Sequence, residues 1–181
     1  MPYAVQGAAV APITTGVFSP GQLRRLLIAV MAVALALTLI AVEAPTPAQA
    51  GSDSARVVSY SKSHLGKRFR LGTEGLRYFD CSGLVWRVYA QAGLLKKIGG
   101  SRMRAASYFK WFRQRGLISQ GNPRVGDVIW WTKRGRIVHT GLYIGNGQAV
   151  SALINPYGVM KHSVKGIHVR FLAYGHTRLA N

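Results

Sequence analysis

Phe79-Asp80-Cys81-Ser82-Gly83-Leu84-Val85, continuing as Trp86-Arg87-Val88-Tyr89-Ala90-Gln91-Ala92, is the stretch that decides how this chain folds. Leu84, Val85, Val88, Tyr89 and Ala92 fall at helical spacing. Asp80 suits an N-cap and Gly93 a C-terminal stop, so a helix is expected over residues 81–92 with Cys81 in its first turn. There the backbone N–H groups and the helix dipole favour a thiolate, and the same N–H groups can receive a developing oxyanion. Ser82 and Gly83 are small enough to let a substrate approach. Cys81 is the only cysteine in the chain.

Upstream, Arg24 and Arg25 precede an apolar run of 17 residues from Leu26 to Val42, followed by Pro45, Pro47 and Ala48-Gln49-Ala50. A charged start, an apolar stretch and a small-x-small site describe a secretory signal cleaved after Ala50. A retained anchor is the rival reading, but the run falls short of the ~20 residues that a spanning helix needs. Residues 1–50 are thus read as leader and signal, and residues 51–181 as one catalytic domain large enough to enclose a core. No second apolar segment is long enough to span a bilayer. In an exported chain a single cysteine forms no internal disulfide, and with a suitable downstream histidine it becomes a candidate nucleophile.

From Gly51 onward the chain carries 22 basic and 4 acidic residues, a net charge of +18. Such a field favours polyanions. Export directs the expectation toward anionic cell-wall polymers and away from nucleic acid. The basic residues are scattered (Lys67-Arg68, Lys96-Lys97, Arg102, Arg104, Lys133-Arg134, Arg136), as on a solvated monomer surface.

Around the central helix, Asp53 to His64 reads as a helix capped by Ser52 or Asp53, with Ala55, Val58, Ser59 and Lys62 along one side. Lys67 to Tyr78 has no period and reads as a loop. Arg102 to Phe112 reads as a second amphipathic helix bearing Met103, Ala106 and Phe109 or Lys110 on successive turns. After Pro123 the pattern changes to strands at Val128–Trp131, Ile137–Ile144, Gln148–Ala152, Gly158–Met160 and Ile167–Leu172, with Asn146-Gly147 as a hairpin turn. Helices first and an antiparallel sheet second make an α+β domain.

A base must reach the sulfur. His139 lies in the strand Ile137–Ile144, where Val138, Thr140, Leu142 and Ile144 form the face expected to meet the core. His139 then points the other way, beside Gly141, which leaves room. His64, His162, His168 and His176 have no comparable context, and no metal-ligand spacing stands out among the histidines.

Taken together, Phe79-Asp80-Cys81-Ser82-Gly83-Leu84-Val85, then Gly126-Asp127-Val128 before a strand, then His139-x-Gly141-x-Tyr143-Ile144-Gly145-Asn146-Gly147 resembles the NlpC/P60 family, its small exported actinobacterial members above all. The resemblance implies a papain-like fold and a cysteine peptidase, free of metal and organic cofactor. It implies hydrolysis of peptidoglycan stem peptides, typically between D-glutamate and a diamino acid. By this resemblance Asp80 contacts the free amine of the substrate as well as capping the helix, and Ser82 lines the same site. Two departures stand out. The family's second histidine, twelve residues after the first, is replaced by Ser151. A tyrosine usual near Phe69 is missing, with Tyr78 as a substitute phenol. A simple turn at Asn146-Gly147 would aim Ser151 away from His139, and a bulged one would aim it toward His139. Asn155 shares the parity of Ser151 and is the alternative orienter, as in Cys-His-Asn peptidases. Rival readings are a wall-binding module with impaired catalysis, a papain-like amidase or acyltransferase cutting another bond, and an antibacterial effector.

Overall fold

The computed structural model describes residues 52–180 and, ahead of them, only Gly21, so the expected signal lies outside the described residues. The domain runs α1 (Asp53–Ser63), β1 (Arg68–Phe69), β2 (Tyr78–Phe79), α2 (Cys81–Gln91), a 3-10 turn (Leu95–Ile98), α3 (Ala105–Arg113), then β3 (Ile118–Ser119), β4 (Val128–Lys133), β5 (Arg136–Gly145), β6 (Gln148–Leu153), β7 (Gly158–Ser163) and β8 (Arg170–Gly175). The last six strands form one antiparallel sheet in the order β3-β8-β4-β5-β6-β7. This is the expected α+β arrangement of helices packed on a sheet.

Both faces of the sheet are covered. On one, Leu84, Val85, Val88 and Tyr89 of α2 pack with Val128, Trp130, Leu142, Val150 and Ala152. Trp130 ties α3 to this layer: its indole meets Phe109 and Phe112 edge-on at 5.5 and 5.2 Å and donates Nε1–H to the Ala105 carbonyl at 3.0 Å. On the other face Ile129, Trp131, Tyr143, Ala149 and Val164 form a smaller cluster, closed by Ile167, Val169, Phe171 and Tyr174. The Gly126-Asp127 motif pins the C-terminal end to this frame. The buried Asp127 carboxylate accepts from the backbone N–H groups of Arg124 and Thr177 and from His176, while Tyr89 donates to the Gly126 carbonyl.

Several boundaries and faces differ from the sequence reading. In α1 the buried positions are Ser54, Val57 and Ser61, whereas Ala55, Ser59 and Lys62 are exposed. Serine hydroxyls are buried at little cost once they are satisfied, and Ser61 donates to the Val57 carbonyl. The segment 67–78 contains β1, which pairs in parallel with β2. Helix α3 starts at Ala105, three residues after the expected Arg102, and buries Tyr108 and Phe112 while Ala106 and Lys110 face solvent. The cause is Arg102 itself, whose guanidinium is drawn to Asp80, Glu74 and Ser82. Strand β8 begins at Arg170, because Ile167 and Val169 are spent covering the second cluster.

Candidate active site

Cys81 occupies the first position of α2, and Asp80 is its N-cap, accepting from Gly83 N–H at 2.6 Å. Leu84 N–H is taken by the Asp80 carbonyl. The backbone N–H groups of Cys81 and Ser82, together with that of Thr140 on β5, lie near enough to the sulfur to favour its thiolate. The last of these puts the thiol beside the residue that follows His139. A Cβ on Gly83 would collide with the Thr73 carbonyl, so glycine is required where the β1–β2 segment crosses the helix.

Asp80 is buried and saturated. One oxygen accepts from Ser82 Oγ and Gly83 N–H, the other from Gly72 N–H at 2.8 Å and Arg102 Nη2 at 2.7 Å. Arg102 also reaches Glu74 and Ser82. The amine-contacting carboxylate implied by the resemblance is therefore already engaged by a guanidinium that the sequence reading missed. Phe69 packs against the helical core, and Tyr78 is partly exposed beneath the Arg70 guanidinium.

His139 is directed off the helical core, as its strand parity predicts, but the face it enters is covered too, and only 8 % of the residue is exposed. Trp131, its cross-strand partner, places its ring 5.2 Å away. The register of the next strand decides what else it meets. Asn146 and Gly147 both have positive φ and make the expected two-residue turn. The pairing then jumps from Gly145↔Gln148 to Tyr143↔Ala149, leaving Ile144 as an extra residue. That bulge brings Ser151 opposite Gly141, where an added Cβ would sit 2.7 Å from the Ser151 Cβ. His139 Nε2 and Ser151 Oγ lie 2.8 Å apart, fully enclosed. Asn155, the alternative partner, is exposed in the β6–β7 turn instead, because the turn carries it out of the sheet before its parity can act.

The contact does not stop at Ser151. Its hydroxyl is also 2.7 Å from His162 Nε2, and His162 Nδ1 is 2.9 Å from the Ser163 carbonyl. His162 lies on β7 opposite Ala149, hence on the same face as Ser151 and diagonal to it. Its ring stands 5.7 Å from that of Trp131. The sequence reading passed over His162. The available signal was its parity on β7 once Ser151 was placed on the His139 face.

Burial governs the protonation states. It pushes the Cys81 thiol up to about 11, with the Asp80 charge acting in the same direction and the three N–H groups opposing it. Burial pushes His139 down to about 3, helped by His162, and lowers His162 as well. At neutral pH the resting groups are a thiol and an uncharged imidazole. Among the described residues no group of His, Cys, Asp or Glu side chains is arranged to hold a metal ion.

Residues 66–174 match the family model described as the NlpC/P60 family. The chain belongs to that family. It is 34% identical over 110 residues to the probable endopeptidase p60 of Listeria monocytogenes, covering 61% of this chain and 21% of that protein. It is 32% identical over 98 residues to the probable peptidoglycan endopeptidase LytE of Bacillus subtilis, covering 54% of this chain and 26% of LytE. The chain thus spans about a quarter or less of the length of these relatives. Among solved structures, NlpC2 from Trichomonas vaginalis superposes with a TM-score of 0.58 at 22% identity, covering 72% of this chain and 48% of that one. This likeness supports the papain-like NlpC/P60 fold.

Proposed function

We propose that this NlpC/P60 domain is the catalytic part of an exported cell-wall hydrolase, a cysteine endopeptidase that cuts peptidoglycan stem peptides at the D-glutamyl–diamino acid bond. The observations that carry this reading are the 2.8 Å contact between His139 Nε2 and Ser151 Oγ and the Cys81 thiol set at a capped helix N-terminus near Thr140, the residue that follows His139. Nε2 is thereby occupied, and Nδ1 is left to serve the sulfur. The names of the relatives, endopeptidases both and one of them a peptidoglycan endopeptidase, support the substrate class.

With thiol and imidazole both uncharged at rest, proton transfer accompanies attack. The Cys81 proton passes to His139 Nδ1 as sulfur bonds to the scissile carbonyl carbon. The oxygen charge that develops is met by the N–H groups of Cys81 and Ser82. The imidazolium returns its proton to the departing amine, leaving a thioester. Water, deprotonated by His139, then releases the acid and restores the thiol. Asp80, held by Arg102 and Gly72, fixes the helix start. The basic surface suits anionic wall polymers. The four carboxylates of residues 52–180 are all bonded to basic side chains, Asp53 to Arg56, Glu74 and Asp80 to Arg102, and Asp127 to His176, so the remaining Lys and Arg stay uncompensated.

The test is incubation with purified peptidoglycan and mass analysis of the soluble fragments, with Cys81→Ala in parallel. Fragments carrying a new diamino-acid amino terminus are expected from the wild type alone. An intact polymer after wild-type treatment, or equal digestion by Cys81→Ala, would remove the peptidase reading.

A further inference from the structure

His162 has no place in the family's usual arrangement of nucleophile, base and orienter, yet it is buried and within hydrogen-bond distance of the Ser151 hydroxyl. We infer that His162 is a positioning residue which, through Ser151, fixes the tautomer of His139 that can accept the Cys81 proton. The inference deepens the endopeptidase reading and rests on it.

The argument is one of hydrogen-bond polarity. The Ser163 carbonyl can only accept, so His162 Nδ1, 2.9 Å away, carries a proton. A neutral His162 then presents a lone pair at Nε2. The Ser151 hydroxyl, 2.7 Å from that lone pair, donates its only proton to it. Ser151 Oγ is left as an acceptor toward His139, 2.8 Å away, so His139 carries its proton on Nε2. Neutral His139 therefore holds its free lone pair on Nδ1, the nitrogen required as base.

A serine alone would not impose this choice. A hydroxyl both donates and accepts, so an unpartnered Ser151 is free to donate to His139 Nε2 and stabilise the tautomer whose Nδ1 is already protonated. That tautomer is inert toward the thiol. His162 removes the ambiguity by consuming the serine proton. The sheet provides the geometry. Ser151 is short, Gly141 lets it approach His139, and the diagonal β6–β7 position brings the His162 ring into the space that a larger residue at 151 would fill. Trp131 lies against both imidazoles, and its Nε1–H is fixed to the Val164 carbonyl at 2.8 Å.

The experiment uses the full chain with histidine nitrogens labelled with 15N, comparing wild type, His162→Phe and His162→Gln. Phenylalanine keeps the ring volume without an acceptor. Glutamine keeps an acceptor for Ser151. In the wild type, His139 Nε2 is expected to show the shift of a protonated ring nitrogen and Nδ1 that of an unprotonated one. In His162→Phe the unprotonated signal should move toward Nε2, and kcat on a soluble stem peptide should fall about tenfold with KM unchanged, equivalent to about 1.4 kcal/mol. His162→Gln should retain the wild-type tautomer and most of kcat. A wild-type His139 protonated on Nδ1 would overturn the inference, as would His162→Phe with an unaltered tautomer or His162→Gln as impaired as His162→Phe. The wild-type nitrogen spectrum needs neither turnover nor a variant that folds. A protein with no hydrolytic activity but the expected tautomer would defeat the endopeptidase reading and leave the positioning of His139 standing.

Discussion

Ser151→Ala is the most informative single change, because it removes one oxygen that holds two imidazoles. The hydroxyl is fully enclosed, with His139 at 2.8 Å and His162 at 2.7 Å. Its loss leaves a donor on His139 and an acceptor on His162 without partners in a dry site. Each such buried group costs about 1–3 kcal/mol. A total of about 2–4 kcal/mol follows, since the space left by the lost hydroxyl lets one ring relax. For a domain of this size that is a fall in Tm of roughly 6–20 °C. Catalysis should suffer separately, because an unheld imidazole loses both alignment and tautomer. We expect kcat to drop about 10–100-fold, at or below the lower end of the 10²–10⁴ that a general base contributes in full. The control is Asn155→Ala, an exposed turn substitution that should change stability by no more than about 0.5 kcal/mol and leave kcat alone. Thermal melts and turnover of a soluble stem peptide, run on both variants, read the two effects apart. A Ser151→Ala protein that melts and turns over like the wild type, or an Asn155→Ala protein that is the more damaged of the two, would refute the placement of Ser151. Ser151→His, which restores the family's usual residue, should impair the protein, because the His162 ring already fills the space.

Three further expectations follow from the same site and surface. Alkylation of Cys81 by iodoacetamide should accelerate with pH beyond 9, because burial raises the thiol to about 11; a plateau reached below neutrality would reveal a preformed thiolate and contradict the neutral pair. His64, His139 and His162 are all lowered by burial, so below about pH 6.5 the unfolded chain binds protons that the folded one refuses, and stability is complete above that pH and lost as pH falls. The unfolding free energy from urea titrations should decline between pH 7 and 5, by up to about 1.4 kcal/mol per pH unit for each such histidine, and a flat profile would discount their burial. Retention on insoluble walls should fall steeply with salt while turnover of a short soluble peptide changes little, since exposed charges are screened over ~8–10 Å at physiological ionic strength; retention unchanged at molar salt would make the basic surface a solubility feature only.

What was legible in the sequence was local. Asp80, the spacing of Leu84, Val85, Val88 and Tyr89, and Gly93 specify α2 within one stretch of chain. Asn146-Gly147 likewise specifies its turn. The orientation of Ser151 was not legible, because one extra residue at Ile144 inverts the face that every later side chain of β6 presents. His162 was hidden for a related reason: it meets Ser151 only through a diagonal across β6 and β7, and no motif of its own marks it. Arg102 was one of many basic residues with nothing local to distinguish it. A charge count held a clue, since so few carboxylates in a strongly basic domain each find a cation. The face of α1 differs from the sequence reading because hydropathy does not reward Ser54 and Ser61, which are buried all the same, Ser61 with its hydroxyl on the Val57 carbonyl.

The exchange of a histidine for Ser151 is best understood as a change in how space and polarity are filled. A close-packed interior does not leave a ring-sized void beneath a strand. When the residue under His139 is short, another side chain must enter, and from β7 the diagonal neighbour is His162. A purely apolar intruder would fill the volume but leave the serine hydroxyl free to point either way. An imidazole anchored on the Ser163 carbonyl fills the volume and fixes the polarity together. Among the described residues no carboxylate acts on His139, whose protonation is opposed by burial and by His162 alone. The imidazolium is thus costly at rest and is favoured only while negative charge develops on the substrate oxygen. On the proposed endopeptidase reading, the domain holds its nucleophile as an unreactive thiol until a carbonyl arrives, and the cost of that restraint is the loss of stability expected in acid.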